Sequence, residues 1–114
     1  MKLVNTISIA ELSRMASKMY GNLVKAVVDL ENGSLIVDAE MHADEEELLL
    51  ENGSKQKNLW GINLYPDKFN TDGFVEFDSM INIRPSQQNN SRSVENKEIK
   101  KAILELVSEK VINE

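Results

Sequence analysis

The residues best suited to chemistry lie between Trp60 and Arg92, in two runs where polar and apolar side chains alternate. Asp78, Asn82 and Arg84 share one face if their segment is a strand, because successive strand side chains point to opposite sides. Asp and Asn are poor strand formers, so their presence here indicates a site. The sequence predicts that this face binds a small polar or anionic group. Arg84 would be its charged anchor, and Asp78 an acceptor or general base.

The other members of this predicted ligand site lie on the preceding strand and in the following loop. Asn63 borders Gly61, which is predicted to face Asp78 and to leave a gap that a ligand or another backbone can enter. Asn89 and Arg92 belong to an amide-rich loop that could close over this gap. The alternative is that the same side chains only order the loop through hydrogen bonds.

A second cluster, at His42, Asp44 and Glu46, carries the residue types that bind divalent metals. A divalent metal is therefore the one cofactor that the sequence indicates. The alternative is that the acidic residues only stabilise the first turn of a helix, where the macrodipole is positive. No Gly-rich phosphate loop is present, and Ser79 lacks the strand-turn-helix setting of a catalytic serine.

Three helices are predicted to frame these residues. Ser8, with Glu11 three residues later, forms a capping box for a helix over residues 9–20. A second, short helix begins at Asp44, and Asn52-Gly53 ends it. A third begins after Ser93 or Asn96 and has an apolar stripe at helical spacing.

Two hairpins are predicted between the helices. Asn32-Gly33 indicates a two-residue type I′ turn, which would place Val28 opposite Val37. The second hairpin pairs residues 58–65 with residues 74–84, with Leu64 opposite Val75. That register would put Ile81 and Ile83 on the apolar face with Trp60 and Ile62, and leave the polar row facing water.

The element order α-β-β-α-β-β-α predicts an α+β fold, because hairpins and helices are segregated along the chain. We expect one domain over residues 1–114, built on a four-stranded antiparallel sheet. The first and last helices should cover the apolar face of that sheet.

Composition limits the function classes. A net charge of −6 argues against non-specific binding to nucleic acid or to an anionic membrane. The chain has no cysteine, and no apolar run is long enough to span a membrane. These features favour a cytoplasmic protein.

Three segments carry a resemblance to a known family: His42-Ala43-Asp44-Glu45-Glu46, Trp60 to Pro66, and Glu76 to Pro85. With them the chain resembles a small uncharacterised prokaryotic family, a domain of unknown function, over nearly its whole length. The resemblance implies that these segments form a unit, and it implies no activity.

Two classes of function therefore remain open. One is the polar-ligand site described above. The other is a protein-interaction or homodimer interface, in which Tyr65, Phe74 and Met80 on the same face meet a partner or a second copy.

Overall fold

A computed structural model describes all residues from Met1 to Glu114. The helices are α1 (Ile9–Lys18), α2 (His42–Glu51) and α3 (Lys97–Lys110). The strands are β1 (Lys2–Val4), β2 (Ile7–Ser8), β3 (Val24–Asp29), β4 (Ser34–Val37), β5 (Leu59–Leu64), β6 (Val75–Glu76) and β7 (Val111–Ile112). Short 3-10 turns lie at Gln56–Asn58, Pro66–Lys68, Met80–Asn82 and Pro85–Gln87.

The main sheet has five strands in the order β1-β4-β3-β5-β6, and every neighbouring pair is antiparallel. A separate parallel pair joins β2 to β7. The α+β class with three helices is confirmed, but the four-stranded sheet was wrong by one strand. The missed edge strand, β1, is only three residues long, too short to show an alternation of polar and apolar residues.

The helix boundaries follow from their caps. Ser8 Oγ accepts a hydrogen bond from Glu11 N at 3.1 Å, as the capping box predicts. Asn96 caps α3, because its Oδ1 accepts from Glu98 N and Ile99 N. The expected start of α2 at Asp44 was wrong: the helix begins at His42, and Asp44 lies in its first turn. No helix in the structure has the length and apolarity needed to cross a membrane.

The register of the first hairpin is set by Asp29. Its Oδ1 accepts from Glu31 N at 2.9 Å, which produces a four-residue loop in place of a two-residue turn. Val28 therefore faces Leu35, and not Val37 as the two-residue turn predicted. The shift is by two residues, so the same side chains still share a face.

Both faces of the sheet are covered. Helices α1 and α3 pack on one face and contribute residues such as Leu12 and Ile103 to the larger core. Helix α2 packs on the other, where Leu49 meets Val27 and Ile36. The expectation that the second face is open to water was therefore wrong. Consecutive buried valines at 27 and 28 are the sequence signature of a strand that is buried on both faces.

The second hairpin has its predicted pairing of Leu64 with Val75, but its second strand is short. Strand β6 ends at Glu76, and the chain then turns at Ser79, whose Oγ accepts from Ile81 N. The predicted strand over residues 74–84 was wrong for this reason. Ile81 consequently packs on the α2 side of the sheet, and Ile83 is exposed.

Candidate functional site

The side-chain amide of Asn82 makes the two hydrogen bonds to β5 that the backbone of a neighbouring strand would otherwise make. Its Oδ1 accepts from Gly61 N at 2.8 Å, and its Nδ2 donates to Gly61 O at 3.0 Å. The same Nδ2 also donates to Arg92 O at 3.0 Å. The amide thus continues the edge of β5 after β6 has ended, and Asn82 is completely buried.

The gap expected at Gly61 exists, but the protein itself fills it. Gly61 lies against Ser79, not opposite Asp78 as the predicted strand required. A Cβ on residue 61 would lie 2.6 Å from both Ser79 Cβ and Ser79 Oγ. Glycine is therefore required here by the close approach of the 78–92 segment.

Replacing Gly61 with alanine should lower the free energy of unfolding by about 1–3 kcal/mol, because the added methyl overpacks the contact with Ser79. Chemical denaturation of the purified variant measures this loss. The matched control is Gly73→Ala, whose new Cβ would meet the flexible Lys68 side chain at 3.0 Å and Thr71 Oγ1 at an ordinary contact distance of 3.6 Å. Adding Ser79→Gly to Gly61→Ala should recover part of the stability; two independent, additive losses would contradict this contact.

Arg84, within the 78–92 segment, is buried, and backbone carbonyl oxygens hold its side chain. Its guanidinium donates to the carbonyl oxygens of Gln56 and Leu59, the latter at 2.6 Å, and lies 4.1 Å from the centre of the Trp60 ring. Burial lowers the pKa of Arg84 from its usual value. Arg84 Nε is buried without a partner, but the terminal nitrogens are engaged inside the protein.

Asn89 completes this buried network. Its Nδ2 donates to Asn82 O and Ser93 O, both at 2.7 Å, and its Oδ1 accepts from Glu95 N at 2.9 Å. The backbones of Asn89 and Arg84 also pair as an isolated antiparallel bridge. We call Asn82, Arg84 and Asn89 the amide network, since their side chains bond mainly to backbone groups.

The other three residues of the predicted ligand site lie outside the amide network. Arg92 Nε pairs with Asp78 Oδ1 at 2.5 Å, and both side chains are about half exposed. Asn63 is buried and donates to Glu76 Oε1 at 2.8 Å, an oxygen that also accepts from Tyr65. The structure therefore divides the six residues into the buried amide network, a surface ion pair, and Asn63, which donates to the backbone oxygen of Asp78 at 3.3 Å.

The predicted metal ligands do not converge. No group of three or more His, Cys, Asp or Glu side chains in the structure could hold a metal ion. His42 is buried, and its Nε2 donates to Ile62 O at 2.8 Å, whereas Asp44 is exposed. Residues two apart on a helix differ by about 200° in direction, so Asp44 points away from His42 and Glu46. Burial lowers the pKa of His42, which favours its neutral form.

A cavity lies on the other side of the second hairpin, between the loop before β6 and helix α3. Its volume is about 530 Å³. The apolar lining residues are Phe69, Phe74, Val75, Phe77, Leu104, Val107 and Val111, and the polar ones are Asn70, Thr71, Asp72 and Ser108. We call this the phenylalanine cavity, because it takes in all three phenylalanines of the chain.

The loop that forms one wall of the phenylalanine cavity is held in place by its own contacts. The Phe69 and Phe74 rings pack edge to face with their centres 5.1 Å apart. Thr71 Oγ1 donates to Lys68 O and accepts from Gly73 N. Such bonds replace those of a regular hairpin turn, so the wall is ordered.

Sequence reasoning missed this cavity because it treated residues 66–73 as a connecting loop. It also placed Phe74 on the polar face with Tyr65 and Met80. Phe74 is instead buried in the larger core, and Met80 is exposed on its own. The available signal was three phenylalanines within nine positions of a segment rich in turn-forming residues.

Comparison with known proteins gives the chain a family. The model of a family described as a protein of unknown function, DUF5674, matches residues 2–110. The chain belongs to the DUF5674 family. The matched range contains the whole amide network and every residue of the phenylalanine cavity except Val111. No curated protein and no solved structure matches the chain significantly.

Proposed function

We propose that the protein binds a small, predominantly apolar molecule in the phenylalanine cavity. The observation that carries this proposal is a cavity of about 530 Å³ with mainly apolar walls. Small-molecule sites in proteins are typically concave, apolar and roughly 300–1,000 Å³ in volume, with a few polar groups at defined positions.

The arrangement of the walls supports the proposal. Val107 and Val111, on and just after α3, are buried residues of the lining, whereas Leu104 also lines the cavity and remains 45% exposed. An exposed leucine beside buried valines gives an apolar path from the surface into the cavity. Burying the apolar area of a ligand there would be favourable at roughly 25 cal/mol per Å² removed from water.

The protein should bind phenethyl alcohol, a neutral probe of suitable size, and binding should be lost in Leu104→Glu. A charge on this wall would have to be desolvated by an apolar ligand, whereas the free protein keeps it in water. Calorimetric titration and the melting temperature measure binding. A ligand at one hundred times its Kd stabilises the folded state by about 2.7 kcal/mol.

The matched control is Leu50→Glu, which places the same charge on helix α2 at a residue of similar exposure. It should bind the probe like the original protein. Equal loss of binding in both variants, or unchanged binding in Leu104→Glu, would contradict a site in this cavity.

A second candidate function is a polar or anionic ligand site at Asp78 and Arg92. The sequence predicted Arg84 as the charged anchor of such a site, but Arg84 is engaged by backbone carbonyls, so Arg92 takes that role in this proposal. The observation in its favour is that Asn63 Oδ1 is buried without a hydrogen-bond partner close to this surface pair. Arg92 pairs through Nε alone, so its terminal nitrogens are free to donate. Titration with inorganic phosphate tests this candidate: it needs saturable binding that Arg92→Gln removes.

Self-association is the remaining alternative on this surface. Met80 is 64% exposed and lies two residues from Asp78. An exposed methionine is the kind of side chain that a protein interface covers. Light scattering after size-exclusion chromatography tests it. A dimer that Met80→Ser converts to a monomer would support an interface here, and a monomeric original protein would remove a homodimer.

A further inference from the structure

The charged and aromatic residues of the phenylalanine cavity limit the class of ligand that it can take. Asp72 is the only lining residue with a formal charge. Its carboxylate makes no ion pair and no side-chain hydrogen bond: the ion pairs of the structure are Lys2–Glu11 and Asp78–Arg92. An unpaired carboxylate at an apolar cavity attracts a cation and repels an anionic ligand.

The aromatic rings favour the same sign of charge. The face of a phenylalanine ring carries negative charge density and attracts ammonium groups within about 6 Å. Two neighbouring lysines already lie on rings: Lys100 Nζ is 5.2 Å from the centre of Phe77, and Lys68 Nζ is 5.0 Å from that of Tyr65. The Phe69 and Phe74 rings have no cation of the protein's own.

Thr71, Ser108 and Asp72 leave acceptors unused more than donors, whereas the side-chain amide of Asn70 offers both. The Thr71 hydroxyl donates to Lys68 O, and the Ser108 hydroxyl donates to Glu105 O, so both protons are engaged within the protein. The Asp72 carboxylate can only accept hydrogen bonds. An ammonium group donates three and accepts none, and it therefore matches this rim.

We propose that the ligand of the phenylalanine cavity is a hydrophobic amine, with its apolar body against the phenylalanines and its ammonium group at Asp72. This inference rests on the proposed function, since it names the ligand class of the same site. It distinguishes the cavity from sites for fatty acids and other anionic amphiphiles, whose carboxylate would face Asp72.

The test compares three probes with the same aromatic body: phenethylamine as the ammonium, phenethyl alcohol as the neutral form and phenylacetate as the anion. Calorimetric titrations near neutral pH give each Kd. The amine should bind about tenfold more tightly than the alcohol, and phenylacetate should bind more weakly than both. In Asp72→Asn most of the preference for the amine should disappear while the affinity for the alcohol stays the same.

The control is Asp67→Asn, which removes the same charge from an exposed position of the same loop outside the cavity. It should keep the preference for the amine. Equal Kd values for amine and alcohol, or equal effects of the two variants, would overturn the amine assignment and leave the cavity as a neutral apolar site. Binding of none of the three probes would overturn the proposed function itself.

Discussion

Replacing Asn82 with alanine should lower the free energy of unfolding by at least about 2 kcal/mol. The substitution removes the only side chain that pairs with Gly61 N and Gly61 O at the edge of β5. It also removes one of the two hydrogen bonds to Arg92 O, which keeps its bond from Ser79 N. Each buried polar group left without a partner costs about 1–3 kcal/mol. Urea denaturation followed by circular dichroism measures the loss.

Asn90 provides the matched control for this substitution. It lies in the same segment, its side chain is exposed, and only its backbone N–H is bonded, to Glu95 Oε2. Asn90→Ala should change stability by no more than about 0.5 kcal/mol, as surface substitutions usually do. A loss of less than about 1 kcal/mol for Asn82→Ala would mean that the amide network is not what holds the 78–92 segment to the sheet.

The second large effect should be a fall in stability as pH rises, caused by Glu45. Glu45 belongs to α2, and its side chain is fully buried. Its Oε2 accepts from Ala39 N at 3.2 Å, and its Oε1 has no hydrogen-bond partner. Burial raises the pKa of Glu45 to about 10. The folded protein therefore keeps this proton between the unfolded pKa near 4.5 and the folded value, while the unfolded chain loses it.

The sign follows from proton linkage: where the folded state holds one proton more, stability falls by about 1.4 kcal/mol per pH unit. His42 acts in the opposite direction, because its lowered pKa makes stability fall as the solution becomes more acidic, below its unfolded value of 6.5. Between that value and about pH 9 this slope comes from Glu45. The pKa of Tyr65 is also raised, but from a usual value of 10.0, so Tyr65 adds to the loss only at higher pH. We expect a loss of roughly 3 kcal/mol between about pH 7 and pH 9.

Glu45→Gln should flatten this dependence, since the amide keeps the shape and the bond from Ala39 but does not titrate. Glu47→Gln is the control, because Glu47 is exposed on the same helix, and it should retain the slope of the original protein. Melting temperatures across the same pH range give the comparison. A slope that survives in Glu45→Gln would assign the pH dependence to another group.

Local signals in the sequence were sufficient for much of the fold. Ser8 and Asn96 cap their helices through their own side chains, and both residue types are recognisable N-caps in a sequence. The pairing of Leu64 with Val75 follows from matching the apolar faces of the two segments. The predicted register of the first hairpin was wrong by two residues. The hydrogen bond from Glu31 N to the Asp29 side chain favours a four-residue loop over the two-residue turn that Asn32-Gly33 prefers. The strand β1 pairs with a partner more than thirty residues away, and no local pattern encodes that.

The candidate site shows why an alternation argument can select the right residues for the wrong reason. Asn82 and Arg84 are unusual strand residues, as the sequence indicated, because they do not lie in a strand at all. Their side chains take over hydrogen bonds that a further strand would make, and their polar atoms bond to the backbone of β5 and of the turn before it. The phenylalanine cavity could not be inferred, since it depends on helix α3 meeting a loop that lies thirty residues earlier in the chain.

The most direct test of the central claim is a titration of the ¹⁵N-labelled protein with phenethyl alcohol, followed in two-dimensional amide NMR spectra. The account predicts saturable shifts within residues 69–77 and 104–111, the two segments that contain the lining of the phenylalanine cavity, with little change at the amide network. Shifts centred on residues 78–92, or none at any concentration up to the solubility of the probe, would contradict it.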